Sequence, residues 1–183
     1  MEYGIQMYGV RDLASVDLKE ALRQVAAIGY KYVEFAGFFD HSAEEVAGWL
    51  SEFGLRTSGT HSGMDGLLHA FDDTIAYHKA IGNCHYIIPG TDLWTRAKLD
   101  EFIANVNEVQ PKLEQVGFTL GFHNHHREFA TMDEGYVPYD ELTARTKLKL
   151  EIDTYWAYVA GKNPVELMEK YRDRLQFIHI KDG

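Results

Sequence analysis

The chain has 183 residues, 45% of them hydrophobic and 25% charged, which is enough length and apolar content to bury a core as one globular domain. A formal charge of −10, from 28 acidic against 18 basic residues, argues against a nucleic-acid surface, because phosphate binding needs clustered Lys and Arg. A single cysteine, Cys84, excludes an intramolecular disulfide, no apolar run reaches the roughly 18 residues that span a membrane, and MEYGIQMYGVRD lacks signal-peptide regions, so a cytoplasmic protein with no membrane partner is expected.

Seven strands are expected, over 3–8, 32–36, 56–60, 85–88, 119–125, 147–153 and 175–181, with helices between them. The first strand places Gln6 and Tyr8 on one face, with Arg11 just beyond. Asp17 reads as the N-cap of a helix whose apolar positions Leu18, Leu22, Val25 and Ile28 recur at helical spacing and which Gly29 closes. The second strand ends in Glu34. Ser42, with Glu45 at the capping-box position, opens a helix that stops at Gly54, and the third strand ends in His61. The next helix stops at Gly82, and its His78, like His69 before it, is expected at the surface. After the fourth strand a long helix runs to Gly117, with Pro111 as a kink or break. The fifth strand sets His123 and His125 on one face, with Glu128 three residues further on. In the sixth, Leu148, Leu150 and Ile152 oppose Lys149, Glu151 and Asp153; Asn163 then caps a helix that has Pro164 in its first turn. In the seventh, Phe177, His179 and Lys181 oppose Ile178 and Ile180.

This alternation predicts right-handed parallel βαβ units and an α/β fold of the TIM (β/α)8 type, as a single domain over residues 1–183. A doubly wound dinucleotide fold is disfavoured, because GVRDLAS carries no glycine-rich fingerprint after the first strand. A full barrel takes about 250 residues, so seven strands are recognisable and the eighth βα unit is absent. Strands one and seven are then expected to present open edges, which would pair with another copy as a homo-oligomer or with a longer chain.

The polar residues at the strand ends share the parity that faces a barrel axis. Taken singly each has an ordinary explanation: a strand histidine satisfied in the core, or Asp153 as a helix N-cap. Their common register is harder to explain that way. It places Asp153 and His179 side by side at one rim, where barrels keep their active sites. A set of His, Asp and Glu without a thiolate suits a divalent cation such as Mn, Mg, Co or Zn.

The segments GIQMYGVRD, YVEFAG, GFHNHHREF, LEIDTYWAYVAG and FIHIKDG resemble, in order and spacing, the xylose-isomerase-like TIM barrels, the sugar phosphate isomerase/epimerase group of the AP endonuclease 2-like superfamily. The resemblance implies a metal held by a strand-five Glu, a strand-six Asp, a strand-seven His and a strand-eight residue. Asp153 and His179 match the second and third. Where many relatives carry Glu-Asn-His this chain has His123, Asn124 and His125, so Glu128 is preferred as the strand-five ligand, with His123 as the alternative. The strand-eight ligand is absent from this sequence. The implied chemistry is proton abstraction next to a carbonyl through a metal-stabilised enediolate, as an isomerase or epimerase of a small sugar, sugar phosphate or keto-sugar. A keto-inositol dehydratase or keto-glycoside lyase is the alternative within the fold. In this reading Glu34, His61, His125 and Lys181 contact hydroxyls or move protons, while Gln6, Tyr8, Arg11, His123 and Trp156 bind substrate. Two other classes compete. DNA cleavage at abasic sites is opposed by the acidic charge, and a non-catalytic sugar-binding or scaffold subunit is kept open by the missing unit.

Overall fold

The computed structural model describes residues 3–181. Its contacts divide the chain into two compact units, Met1–Tyr86 and Ile87–Gly183.

In the first unit β1 (Gly4–Gln6) leads through a 3₁₀ turn into α1 (Arg11–Ala14) and α2 (Leu18–Ile28), followed by β2 (Tyr32–Phe35), α3 (Ala43–Phe53), β3 (Arg56–His61), α4 (Met64–His69) and α5 (Phe71–Ala80). The helix ends are where the sequence puts them. The Asp17 side chain accepts from the Glu20 N–H, Ser42 and Glu45 form a complete capping box, and Gly29 and Gly54 close α2 and α3 at φ of 114° and 66°, values a residue with a Cβ resists. α2 buries Leu18, Leu22 and Val25, and α3 buries Val46 and Leu50, in one cluster with Val33 and Phe35 of β2. Each such side chain contributes about 1.5–3 kcal/mol by leaving water.

Parallel pairing sets Gln6 opposite Glu34 on β1 and β2. Between β2 and β3 the register slips: Val33 pairs with Thr57, but Glu34 pairs with Gly59. The extra residue, Ser58, donates its hydroxyl to the Val33 carbonyl at 3.2 Å. This bulge returns Gly59, and with it His61 two residues on, to the face that carries Glu34.

β4 (His85–Ile88) lies across the division between the units. The second unit continues with α6 (Arg96–Gln115), β5 (Thr119–His123), a 3₁₀ turn at Arg127–Phe129, α7 (Pro138–Arg145), β6 (Lys149–Asp153), α8 (Thr154–Val159), α9 (Pro164–Lys170) and β7 (Leu175–His179). Asn163 caps α9 by accepting from the Val165 N–H, with Pro164 at its first position. Pro111 neither ends nor breaks α6, which runs on to Gln115. Buried side chains continue across it, from Val106 and Val109 to Leu113, and that packing offsets the one lost backbone bond. β5, β6 and β7 pair in parallel, with a second bulge setting Leu150 against Leu175 but Glu151 against Phe177. Phe129, Tyr139, Leu150, Ile152 and Ala157 form the buried cluster behind this part of the sheet. No helix among the described residues is long and apolar enough to cross a membrane.

Four expectations about individual residues need correcting, the first being Lys181, which lies beyond the end of β7 at His179 rather than on that strand. β1 ends at Gln6, so Tyr8 sits in the 3₁₀ turn and alternation no longer governs its direction. β5 ends at His123, leaving His125 in the following loop. His78 is buried at 3% exposure, because α5 turns the same face inward at Ile75 and His78, three residues apart.

Candidate functional site

In the first unit Glu34 and His61 meet near the C-terminal ends of β2 and β3, with Glu34 Oε1 2.6 Å from His61 Nε2. Gln6 places its amide nitrogen 2.9 Å from Nδ1 of the same ring. An amide nitrogen only donates, so Nδ1 accepts and Nε2 carries the proton that faces Glu34. Tyr8 and Arg11 lie further along the chain on the surface, the guanidinium stacked 4.5 Å above the Tyr8 ring and donating to the Tyr8 carbonyl.

In the second unit His123, Asp153 and His179 are the last residues of β5, β6 and β7, and each offers a ligand atom within 4.8 Å of the others. Strand register explains the arrangement, since Asp153 lies opposite His179 and His123 opposite Glu151. Asp153 Oδ1 accepts from the Trp156 N–H at 2.9 Å and so caps α8, which leaves Oδ2 to face the imidazoles. Burial pushes the Asp153 carboxyl up, but the contact from His123, the Trp156 N–H and the Lys181 charge outweigh it and hold it below the ordinary range, anionic at neutral pH.

The second partner of each imidazole decides what it presents to Asp153. His123 Nδ1 lies 3.4 Å from the Pro89 carbonyl, which can only accept, so Nδ1 donates and a neutral ring turns a bare Nε2 toward Asp153 Oδ2, 3.4 Å away. His179 Nε2 lies 3.2 Å from Glu151 Oε1 and its Nδ1 lies 4.0 Å from Asp153 Oδ2. The nearer carboxylate, Glu151, draws the ring proton electrostatically to Nε2, so this ring too turns its Nδ1 toward the same oxygen. When both rings are neutral, two nitrogen lone pairs and a carboxylate oxygen face one point and repel one another; a positive charge there relieves this, either the extra His123 ring proton that lowers Asp153 or a cation in its place. Ligand atoms about 2.1 Å from a common ion are about 3–3.5 Å apart, close to the shorter separation found here. The donor set therefore fits a divalent cation of the imidazole- and carboxylate-preferring kind, with Glu151 behind His179 in the carboxylate–histidine arrangement that orients metal ligands.

Glu128 is held elsewhere. Its Oε2 accepts from the His125 backbone N–H at 2.9 Å, and burial pushes its carboxyl up. It stands 4.0 Å from the His125 ring rather than among His123, Asp153 and His179. Lys181 lies 3.8 Å from Asp153 Oδ2 and stacks 4.7 Å above Trp156 and 5.2 Å above Tyr155. The Trp156 ring also lies 5.8 Å from His125 and 5.2 Å from His126. Sequence reasoning gave no role to Glu151, Asn124 or Thr154, which hold this group from behind; for Glu151 the signal was its parity with Asp153. A cavity of about 730 Å³ in the first unit lies at the opposite, N-terminal ends of the strands, beside Tyr3, Tyr32 and Arg56, and contains none of the candidate residues.

Residues 22–183 match the family described as xylose isomerase-like TIM barrel. Inosose dehydratase of Geobacillus kaustophilus is 23% identical over 189 residues, covering 89% of this chain and 61% of the relative. Inosose dehydratase of Bacillus licheniformis is 24% identical over 190 residues, covering 91% of this chain and 62% of the relative. The chain thus spans about three fifths of the length of these curated relatives. Among solved structures, a sugar phosphate isomerase/epimerase from Parabacteroides distasonis superposes with a TM-score of 0.85 at 21% identity, covering 99% of this chain and 75% of that one. At that identity the likeness is one of fold, and the fold is the α/β TIM type.

Proposed function

We propose that this chain, which belongs to the xylose isomerase-like TIM barrel family, binds a divalent cation through His123, Asp153 and His179 and uses it to remove a proton next to the carbonyl of a small sugar derivative. One observation carries the reading: His123 and His179, each with its other nitrogen committed, both turn toward the one Asp153 oxygen that does not cap α8. When bound, such a cation supplies Lewis acidity to a carbonyl and its neighbouring hydroxyl, which acidifies the C–H between them.

The chain's own groups do the rest. Lys181, held near Asp153 and over the aromatic rings, places a positive charge where oxyanion character develops. Trp156 gives an apolar wall for a sugar face, and His125, beside it, is placed to take or return a proton. Glu34 and His61, in contact at 2.6 Å, form a second acid–base pair in their own unit.

Isomerisation or epimerisation returns the proton to carbon; dehydration instead expels the hydroxyl beyond it as water. The second reading draws on the two inosose dehydratases among the relatives. The exposed, unbridged Cys84 fits a reducing cytoplasm.

The test is proton exchange in heavy water with added Mn(II), read by NMR on a panel of ketoses and a keto-inositol. Cation-dependent loss of the C–H signal next to the carbonyl is expected. Water loss accompanied by enone absorbance selects the dehydratase reading. Failure to bind Mn(II), with no exchange on any substrate class, overturns the proposal.

A further inference from the structure

We infer that Asn124 and Thr154 are positioning residues that set the spacing of His123, Asp153 and His179 by continuing the sheet after its backbone pairing ends; the inference rests on the cation site proposed above. Backbone pairing of β5 with β6 runs from Gly121 opposite Lys149 to His123 opposite Glu151 and stops there, two residues short of Asp153. Asn124, the next residue, is 0% exposed. Its Nδ2 donates to the Asp153 carbonyl at 3.3 Å and its Oδ1 accepts from the Asp153 N–H at 3.1 Å. A primary amide has one donating and one accepting edge, so this two-point match reproduces a rung of β-ladder with a side chain in place of a strand. On the other flank the Thr154 hydroxyl donates to the His179 carbonyl at 2.9 Å. The three positions whose ligand atoms converge are therefore tied across three strands by side chains at the point where β6 turns into α8.

The need for such ties follows from where Asp153 sits. It is the last strand residue and the helix cap at once, with one oxygen committed to Trp156. A small rotation of its backbone would give up either the cap or the direction of Oδ2. Groups that orient metal ligands typically change affinity by about 10–100-fold when removed.

The test compares Thr154→Val, which keeps the shape and loses the hydroxyl, with Thr154→Ser, which restores the hydroxyl, and with Asn124→Leu. The readouts are Mn(II) affinity by electron paramagnetic resonance, the visible spectrum of the Co(II) form, and the melting temperature without metal. Thr154→Val should weaken Mn(II) binding about tenfold and alter the Co(II) bands, Ser should restore both, and Asn124→Leu should weaken binding by about 10–100-fold. If Asn124→Leu does not fold, the Thr154 pair decides alone. Wild-type affinity and spectrum in Thr154→Val, with only the melting temperature lowered, would overturn the inference and leave the cation site standing. A wild-type chain that binds no Mn(II) overturns both.

Discussion

His78 offers a test of the packing that can be worked through in numbers. It sits on α5 at 3% exposure, with its ring against Tyr86 at 5.0 Å and Phe38 at 5.8 Å. Asn83 Nδ2 lies 3.1 Å from its Nδ1 and the Thr60 hydroxyl 3.3 Å away, so Nδ1 accepts and the ring is neutral. Burial pulls the imidazole from 6.5 down to about 4. Between those two values the unfolded chain takes up a proton that the native chain refuses, so stability is complete above pH 6.5 and falls as the pH drops toward 4. At 1.36 kcal/mol per pH unit the whole window is worth about 3 kcal/mol, of which about 2 kcal/mol is lost by pH 5. Carboxylates titrate in the same range, and only a difference isolates His78. Urea denaturation of wild type and His78→Gln, which keeps polar atoms and does not titrate, should be followed at half-unit steps from pH 7.5 to about 4.5. The wild type should lose about 2 kcal/mol more than the variant between pH 7 and pH 5. Parallel curves would mean that His78 protonates in place, and that the neutral buried imidazole is wrong.

Asp153→Asn should keep the cap on Trp156 while lowering Mn(II) affinity on the order of 100-fold or more, whereas Asp153→Ala should also cost about 1 kcal/mol, or about 2–4 °C of melting temperature; equal metal binding by all three proteins would remove Asp153 from the site. Glu128→Gln should leave Mn(II) affinity unchanged. Because the raised carboxyl lets the native chain bind a proton more readily than the unfolded one, ionisation costs stability as pH rises above 4.5, so the variant should be the more stable at pH 7 and lose that advantage near pH 4.5, checked by melting curves at both. Tyr139→Phe should hold or raise stability, by up to about 1 kcal/mol in urea, since the Tyr139 hydroxyl is buried with no hydrogen-bond partner among the described residues; a loss larger than that would mean the hydroxyl is satisfied after all.

Local signals were legible wherever one residue type solves one backbone problem. Asp17, Ser42 with Glu45, and Asn163 with Pro164 each satisfy the first N–H groups of a helix, and Gly29 and Gly54 take the left-handed conformation that ends one. Strand interiors were legible for the same reason, because alternation leaves a period in the sequence. Strand ends were not, since nothing in alternation says where pairing stops; Tyr8, His125 and Lys181 were carried past it. The short helices α1, α4 and α8 are too brief to show a helical period. The bulges at Ser58 and Gln176 are registers between strands, and a single strand carries no record of them. That is why His123 against Glu128 stayed open from sequence: the last residue of β5 keeps strand parity, whereas the direction of a residue in a following 3₁₀ turn depends on the turn.

Asp153 shows why a capping residue and a ligand are not competing descriptions. A carboxylate has two oxygens, and the chain divides them: Oδ1 holds the Trp156 N–H at 2.9 Å, and Oδ2 lies 3.4 Å from His123 Nε2. The cap fixes the side-chain torsion, so the second oxygen is aimed before any cation arrives, and the ordering entropy is met in folding rather than in binding. The same division recurs at His179, where one nitrogen faces Glu151 and leaves the other for Asp153. Each side chain facing the proposed cation is thus held through an atom it does not need for binding. This predicts a pattern in variants: replacements that keep the structural atom, such as Asp153→Asn, should separate affinity from stability, while truncations to Ala should lose both together.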